Sequence, residues 1–162
     1  MSRSRRRLLP ERILFVCTGN TCRSPMAEAI ARSHLQRLGR TDLVVESAGI
    51  AAVDGEDASD GALVVTLEAG QDLSGHRARV LTPALIDGAS LILAMGPRHL
   101  EQVRALGGGD RAHLLTAYAQ SDPKAHAVAD PFGGDLDTYR ATYAELKAAV
   151  LAALERWQAS AR

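Results

Sequence analysis

The run Cys17-Thr18-Gly19-Asn20-Thr21-Cys22-Arg23-Ser24 constrains this 162-residue chain more than any other segment. It lies between a short apolar run, Ile13-Leu14-Phe15-Val16, and a helix-like segment opened by Pro25. The order is therefore strand, tight loop, helix start. The N–H groups of such a loop point inward, the helix N-terminus adds partial positive charge, and an arginine adds a two-pronged donor. A cysteine at the strand end then sits beneath a site for a tetrahedral oxyanion, and the same donors lower the pKa of a thiol. The pattern points to phosphoryl transfer through a cysteine. A cysteine after a buried strand is by default an inert core residue. Here, however, five residues separate Cys17 from Arg23, enough for the loop to curl once around a phosphate. An arginine at that point has no use in core packing.

The rest of the chain alternates strands and helices. Arg12 to Val16 reads as a strand that is apolar on both faces, as a central parallel strand is. Ser24 is expected to cap the next helix, with Pro25 in its first turn. Met26, Ile30, Leu35 and Leu38 give that helix an inward stripe, and Gly39 ends it. Leu43-Val44-Val45 is a second strand leading into Ser47-Ala48-Gly49, and residues 50 to 57 form a loop. A helix follows from Ser59 or Asp60 to about Gly70, and Thr82-Pro83 opens a short one that breaks at Gly88. Ser90 to Met95 is a third strand, and Pro97 starts a helix that ends at Gly107-Gly108-Gly109. His113-Leu114-Leu115 is a short fourth strand. Residues 119 to 134 form a loop long enough to suggest function. Leu136, Tyr139, Tyr143, Leu146, Val150, Leu154 and Trp157 then repeat at helical spacing, the aromatics reading as core. Such alternation implies an α/β domain with a parallel sheet and helices on both faces, its ligand beyond the C-terminal strand ends.

Composition bounds the function. A single domain of this length buries roughly 70% of its unfolded surface. Nineteen basic and nineteen acidic residues give a formal net charge of zero, against nucleic acid or an anionic membrane as a bulk partner. Arg3, Arg5, Arg6 and Arg7 make residues 1–10 a basic arm, expected to be flexible, with residues 11–162 as the catalytic domain. The arm lacks the apolar stretch of a secretory signal, and no run reaches membrane-spanning length. Two cysteines in one loop do not make a disulfide scaffold, and the scattered histidines show no zinc spacing. No metal and no cofactor are expected. The expected setting is the cytoplasm, with the chain acting as a monomer.

In this reading Cys17 attacks phosphorus and forms a phosphocysteine. Arg23 holds two equatorial oxygens through the transition state. The amides of Thr18, Gly19, Asn20, Thr21, Cys22 and Arg23 complete the cradle, with Asn20 in a left-handed conformation. Ser24 can also donate its hydroxyl to the Cys17 sulfur. Cys22 can trap an oxidised Cys17 as a reversible disulfide. Two acids compete for protonation of the leaving group, Asp122 and Asp130, each followed by proline. Gly133-Gly134, which would let the backbone approach the site, leans toward Asp130; the residues alone leave the choice open.

The stretch VCTGNTCRSPMAE, Val16 to Glu28, resembles the signature of the low-molecular-weight protein tyrosine phosphatases, and most of all their bacterial protein-arginine phosphatase branch. The similarity continues through Ser47-Ala48-Gly49, Ser74-Gly75-His76-Arg77-Ala78, Leu91 to Met95 and Asp130-Pro131-Phe132-Gly133-Gly134. The resemblance implies a four-stranded parallel, Rossmann-like sheet and a protein phosphatase, with phosphorylated proteins as its partners. It selects Asp130 as the acid and gives Asn20, Ser47 and His76 the task of bracing the loop. His34, His99, His113 and His126 receive no role. Thr21 stands where tyrosine-specific relatives carry a bulky aliphatic residue, residues 50 to 58 contain no aromatic wall, and Phe132-Gly133 replaces a pair of tyrosines. Thr21 and the Asp130 segment resemble the arginine phosphatases, whereas Phe132 could stack on a guanidinium or a phenyl ring alike. Phosphoarginine is the expected substrate, with phosphotyrosine as the alternative. An arsenate reductase coupled to thioredoxin needs relay cysteines, and none follows Cys22. A non-catalytic oxyanion-binding module has no need for Cys17, Arg23 and Asp130 together.

Overall fold

Strand β1 (Glu11–Cys17) has five consecutive buried residues because both of its faces are covered. In the computed structural model, which describes residues 11–120 and 125–160, it lies inside a four-stranded sheet of order β2-β1-β3-β4. The other strands are β2 (Leu43–Gly49), β3 (Leu91–Ala94) and β4 (Ala112–Leu114), and every pairing is parallel. Alternate β1 side chains feed two separate cores. Ile13 and Phe15 pack with helices α1 (Arg23–Arg37), α2 (Asp60–Glu68), α5 (Leu115–Gln120) and α6 (Leu136–Ser160). Leu14 and Val16 pack with α3 (Pro83–Asp87) and α4 (Pro97–Ala105) through Ile86 and Val103. Helices therefore cover both faces, as the alternating pattern implied. Among the described residues no helix is long and apolar enough to cross a membrane.

The strand order creates the place for a ligand. β1 leads to β2 on one side, while β3 lies on its other side, so the connections part at the C-terminal ends of β1 and β3. Cys17 is the last residue of β1, at that point.

Several local expectations change. Helix α1 starts at Arg23 with Cys22 as its cap residue and no side-chain cap, so Ser24 lies inside the first turn and does not cap it. Leu38 is 51% exposed beyond the last turn, whereas Met26, Ile30 and Leu35 are buried as expected. Gly39, at φ +67°, supplies the left-handed residue that stops the helix. Leu115 leaves the sheet and begins α5, because β4 is an edge strand of only three residues. The helix claims residues through Gln120, so the irregular segment begins later than residue 119. The basic arm and Asp122-Pro123 lie outside the described residues.

Candidate active site

The loop after β1 turns back on itself around the Cys17 sulfur. Asn20 makes this turn possible, with φ at 56° and a fully buried side chain. Every polar atom of Asn20 is engaged. Its amide N–H donates to Cys17 Sγ at 3.3 Å, and its carbonyl accepts from His76 Nε2 at 2.8 Å. Its Nδ2 donates to Ser24 Oγ at 2.8 Å and to Ser47 Oγ at 2.9 Å, and its Oδ1 accepts from the Arg79 amide at 3.0 Å. Arg79 is fixed in turn by Glu46 at 2.6 Å and by the Ser47 carbonyl at 2.9 Å. Gly49, at the end of β2, lets the loop approach. A Cβ there would come within 2.4 Å of the Thr18 carbonyl oxygen, a clash with backbone that no rotamer relieves.

Cys17 is buried, and its sulfur lies 2.8 Å from Ser24 Oγ. That hydroxyl already accepts from Asn20 Nδ2, so its proton is free to point at sulfur. Burial pushes the Cys17 thiol up from its ordinary value. The Ser24 hydroxyl and amide, Arg23 and the Asn20 amide pull it down, but less strongly. The sequence suggested a thiol lowered by the loop's donors. Those donors are in place, but loss of hydration outweighs them. Among the described residues the amides of Gly19, Thr21 and Cys22 meet no protein acceptor, as an anion cradle requires.

Arg23 is buried and aimed by three groups. Its Nη1 donates to the Val128 carbonyl at 3.1 Å, and its Nη2 lies 3.5 Å from both Thr18 Oγ1 and Asp130 Oδ2. The Val128 amide donates to the Met95 carbonyl at 2.8 Å, so β3, the irregular segment and the arginine are tied together. Asp130 follows two residues later. Its side chain is 53% exposed, and Oδ1 accepts from the Phe132 amide at 3.1 Å, which fixes its rotamer. Gly133-Gly134 bends the chain into α6 and does not approach the loop. A Gly134 Cβ would meet Thr138 and the Pro131 carbonyl. Asp135 accepts from the Thr138 amide at 2.8 Å in the manner of a cap.

A cavity of about 250 Å³ opens over the loop, lined by Cys17, Thr18, Gly19, Thr21, Cys22, Arg23, Glu56, Asp130 and Phe132. Asn20, Ser24, Ser47 and His76 lie behind it, as the preceding contacts describe. The structure thus gathers the sequence-selected residues at one place.

Four contributors escaped the sequence reading. His99, one of the histidines left without a role, reaches across from α4, its Nε2 2.8 Å from Thr18 Oγ1. Burial first, then Arg23, pushes its pKa down to about 4, so the ring is neutral at pH 7. Its position at the first turn of the helix after β3 was the available signal, since strand ends of such sheets face the ligand. Tyr139 is buried like the core residue expected, yet its hydroxyl lies 3.3 Å from Cys22 Sγ and 3.1 Å from Ser59 Oγ. Burial, then the Cys22 contact, pushes that phenol up to about 12. Gly61 makes room for its ring, since a Cβ there would lie 2.5 Å from two ring carbons. Arg79 and Glu56 complete the set; the sequence carries no local signal for either.

The sequence pattern of the low molecular weight phosphotyrosine protein phosphatases matches residues 12–161. A protein-arginine-phosphatase of Geobacillus stearothermophilus is 38% identical over 152 residues, covering 93% of this chain and 98% of the relative. The low molecular weight protein-tyrosine-phosphatase PtpB of Staphylococcus haemolyticus is 38% identical over 136 residues, covering 83% of this chain and 91% of the relative. Among solved structures, a cysteine-to-serine variant of the YwlE arginine phosphatase with a phosphorylated active-site serine matches with a TM-score of 0.82 at 36% identity, covering 91% of this chain and 95% of that one.

Proposed function

The chain belongs to the low molecular weight phosphotyrosine protein phosphatase family and is a cysteine-dependent phosphoprotein phosphatase, and on that premise we propose that it removes phosphoryl groups from phosphoarginine side chains of proteins through Cys17. In the first step the Cys17 thiolate forms a sulfur–phosphorus bond as the bond from phosphorus to the guanidinium nitrogen breaks. The electron pair stays on nitrogen, which takes a proton from Asp130. Arg23 and the loop amides hold the three equatorial oxygens. In the second step Asp130 takes a proton from water, whose oxygen attacks phosphorus. The sulfur leaves with the bonding pair, stabilised by the Ser24 hydroxyl. Asn20, Ser47 and His76 keep the loop in shape for both steps.

One observation carries the arginine reading: the wall of the cavity. Thr21, a hydroxyl-bearing residue, lines it together with Cys17 and Asp130, at a position where an aliphatic side chain would pack on a phenyl ring. Sites built around hydrogen bonds discriminate strongly, because the wrong substrate leaves polar groups without partners. The test is kcat/KM on matched phosphoarginine and phosphotyrosine peptides, for wild type and Thr21→Ile. Wild type should favour phosphoarginine, and the substitution should depress that activity while sparing the other. Preference of wild type for phosphotyrosine overturns the arginine reading and leaves the cysteine chemistry standing.

Redox control belongs to the same proposal. Cys17 and Cys22 are both free thiols on one loop around one cavity, which suits a reversible disulfide and a reducing cytoplasmic setting for a monomeric enzyme. Peroxide should inactivate the enzyme and a thiol reductant restore it, with a Cys17–Cys22 bond found by mass spectrometry. Irreversible loss in wild type, unchanged in Cys22→Ser, removes the protective role.

A further inference from the structure

The loop between β2 and α2 carries three acidic residues close together, Asp54, Glu56 and Asp57, and two of them have structural work. Asp54 Oδ1 accepts from the Val80 amide at 2.8 Å. Asp57 pairs with Arg77 at 2.9 Å. Glu56 differs from both. Among the described residues its carboxylate meets no cation and no hydrogen-bond donor, yet it lines the cavity that holds Cys17, Thr21, Arg23, Asp130 and Phe132. Its backbone is pinned. The Glu56 amide donates to Val53 at 3.2 Å, the Glu56 carbonyl accepts from Ala78 at 2.8 Å, and the preceding Gly55 amide donates back to Ala78 at 2.8 Å. A glutamate whose side chain has no protein partner among the described residues therefore extends from a fixed point of the backbone at the wall of the reaction cavity.

From this we infer that Glu56 is a specificity-determining residue that accepts hydrogen bonds from the guanidinium of a phosphorylated arginine. The inference rests on the phosphoarginine reading and adds to it a group that recognises the leaving side. A phosphoarginine side chain presents two kinds of chemistry at once. Its phosphoryl oxygens suit the loop amides and Arg23, and its remaining guanidinium nitrogens keep N–H donors in a planar fork that matches a carboxylate. Phosphotyrosine offers only the first kind, followed by an apolar ring. The cavity's other carboxylate, Asp130, faces Arg23 at 3.5 Å, holds the Phe132 amide and serves the nitrogen bonded to phosphorus, which leaves Glu56 to meet the outer guanidinium nitrogens. For phosphotyrosine the same carboxylate is a disadvantage, a second negative charge near a phosphate dianion with no donor in return. Because Glu56 is exposed, solvent moderates the effect.

The experiment measures kcat/KM for wild type, Glu56→Gln, Glu56→Lys and Asp57→Asn on three peptides. They are a phosphoarginine peptide with neutral flanks, the matched phosphotyrosine peptide, and a phosphotyrosine peptide with an arginine beside it. In Glu56→Gln the ratio of phosphoarginine to neutral-flank phosphotyrosine activity should fall about 10-fold, the scale of one charge-assisted hydrogen bond at an exposed site. Glu56→Lys should lower the ratio further. Asp57→Asn, which removes the same charge one residue away, should leave the ratio within about 2-fold of wild type. Raising the salt concentration should shrink the gap between wild type and Glu56→Gln. An unchanged ratio in both Glu56 variants overturns the inference. A loss confined to the arginine-flanked phosphotyrosine peptide assigns Glu56 to the flanking residue and also overturns it. The wild-type preference itself is read separately, so failure of the phosphoarginine reading is distinguishable from failure of the Glu56 assignment.

Discussion

Replacing Asn20 by alanine should destabilise the protein by about 4 kcal/mol. The side chain makes three hydrogen bonds, to Ser24, Ser47 and the Arg79 amide, from a fully buried position. An orphaned buried polar group costs about 1–3 kcal/mol. Ser24 keeps its contact with Cys17 and the Arg79 amide is only half-buried, so the full penalty applies to about two groups in effect, or roughly 3 kcal/mol. Alanine also tolerates the left-handed backbone less well than asparagine, which adds about 1 kcal/mol. For a domain of this size the total corresponds to a fall in Tm of about 8–16 °C. Asn20→Gly removes the side chain but accepts the positive φ, so it should recover about 1 kcal/mol of the loss. Urea unfolding of the three proteins measures both differences. A loss below about 1 kcal/mol in Asn20→Ala, or no gain in Asn20→Gly over it, would refute the view of Asn20 as the hub of the loop.

Asp130→Asn should slow phosphocysteine formation by something like 10²–10⁴-fold, because the leaving nitrogen or oxygen loses its proton donor. Asp122→Asn should change it little, and the reverse ranking in single-turnover assays shows that the acid was misassigned. Ser24→Ala removes the strongest of the interactions that lower the Cys17 thiol while burial remains, so its pKa rises further and the thiolate fraction at a given pH falls. The midpoint of Cys17 alkylation should move to higher pH, and an unmoved midpoint counts against the Ser24 contact. His99 has a folded-state pKa of about 4 against an ordinary 6.5, so the unfolded chain binds its proton first as pH falls. Wild type should therefore lose stability between about pH 6.5 and pH 4, and His99→Phe should lose less; equal losses contradict the buried neutral ring.

The chemistry was legible where it is local. The strand, the Cys17 loop and the helix start are contiguous, so their order in sequence is their order around the phosphate site. Asn20 and Gly39 could be read because a left-handed backbone favours few residue types. The loop's outer braces became legible only through resemblance, since Ser47 and His76 come from other elements. His99 could not be read locally, because its contact with Thr18 depends on β3 lying beside β1 in the sheet. Ser24 was read as a cap from its residue type. The helix begins two residues earlier than that cap implies, and tertiary contacts to Cys17 and Asn20 claim the hydroxyl instead. Tyr139 obeyed helical periodicity and is core, but periodicity says nothing about where a phenol oxygen ends. Leu115 was misplaced because a three-residue edge strand and the first turn of a helix share the same apolar signature.

The central claim is that phosphorus passes through the Cys17 sulfur. Rapid quenching of turnover on a phosphoarginine peptide, followed by digestion and mass spectrometry, reads it directly. The account predicts one added phosphoryl group on the peptide containing Cys17 in wild type quenched during turnover, carried by the Cys17 sulfur, and loss of turnover in Cys17→Ser. Normal turnover by Cys17→Ser, or a phosphoryl group found only on another residue, would contradict it.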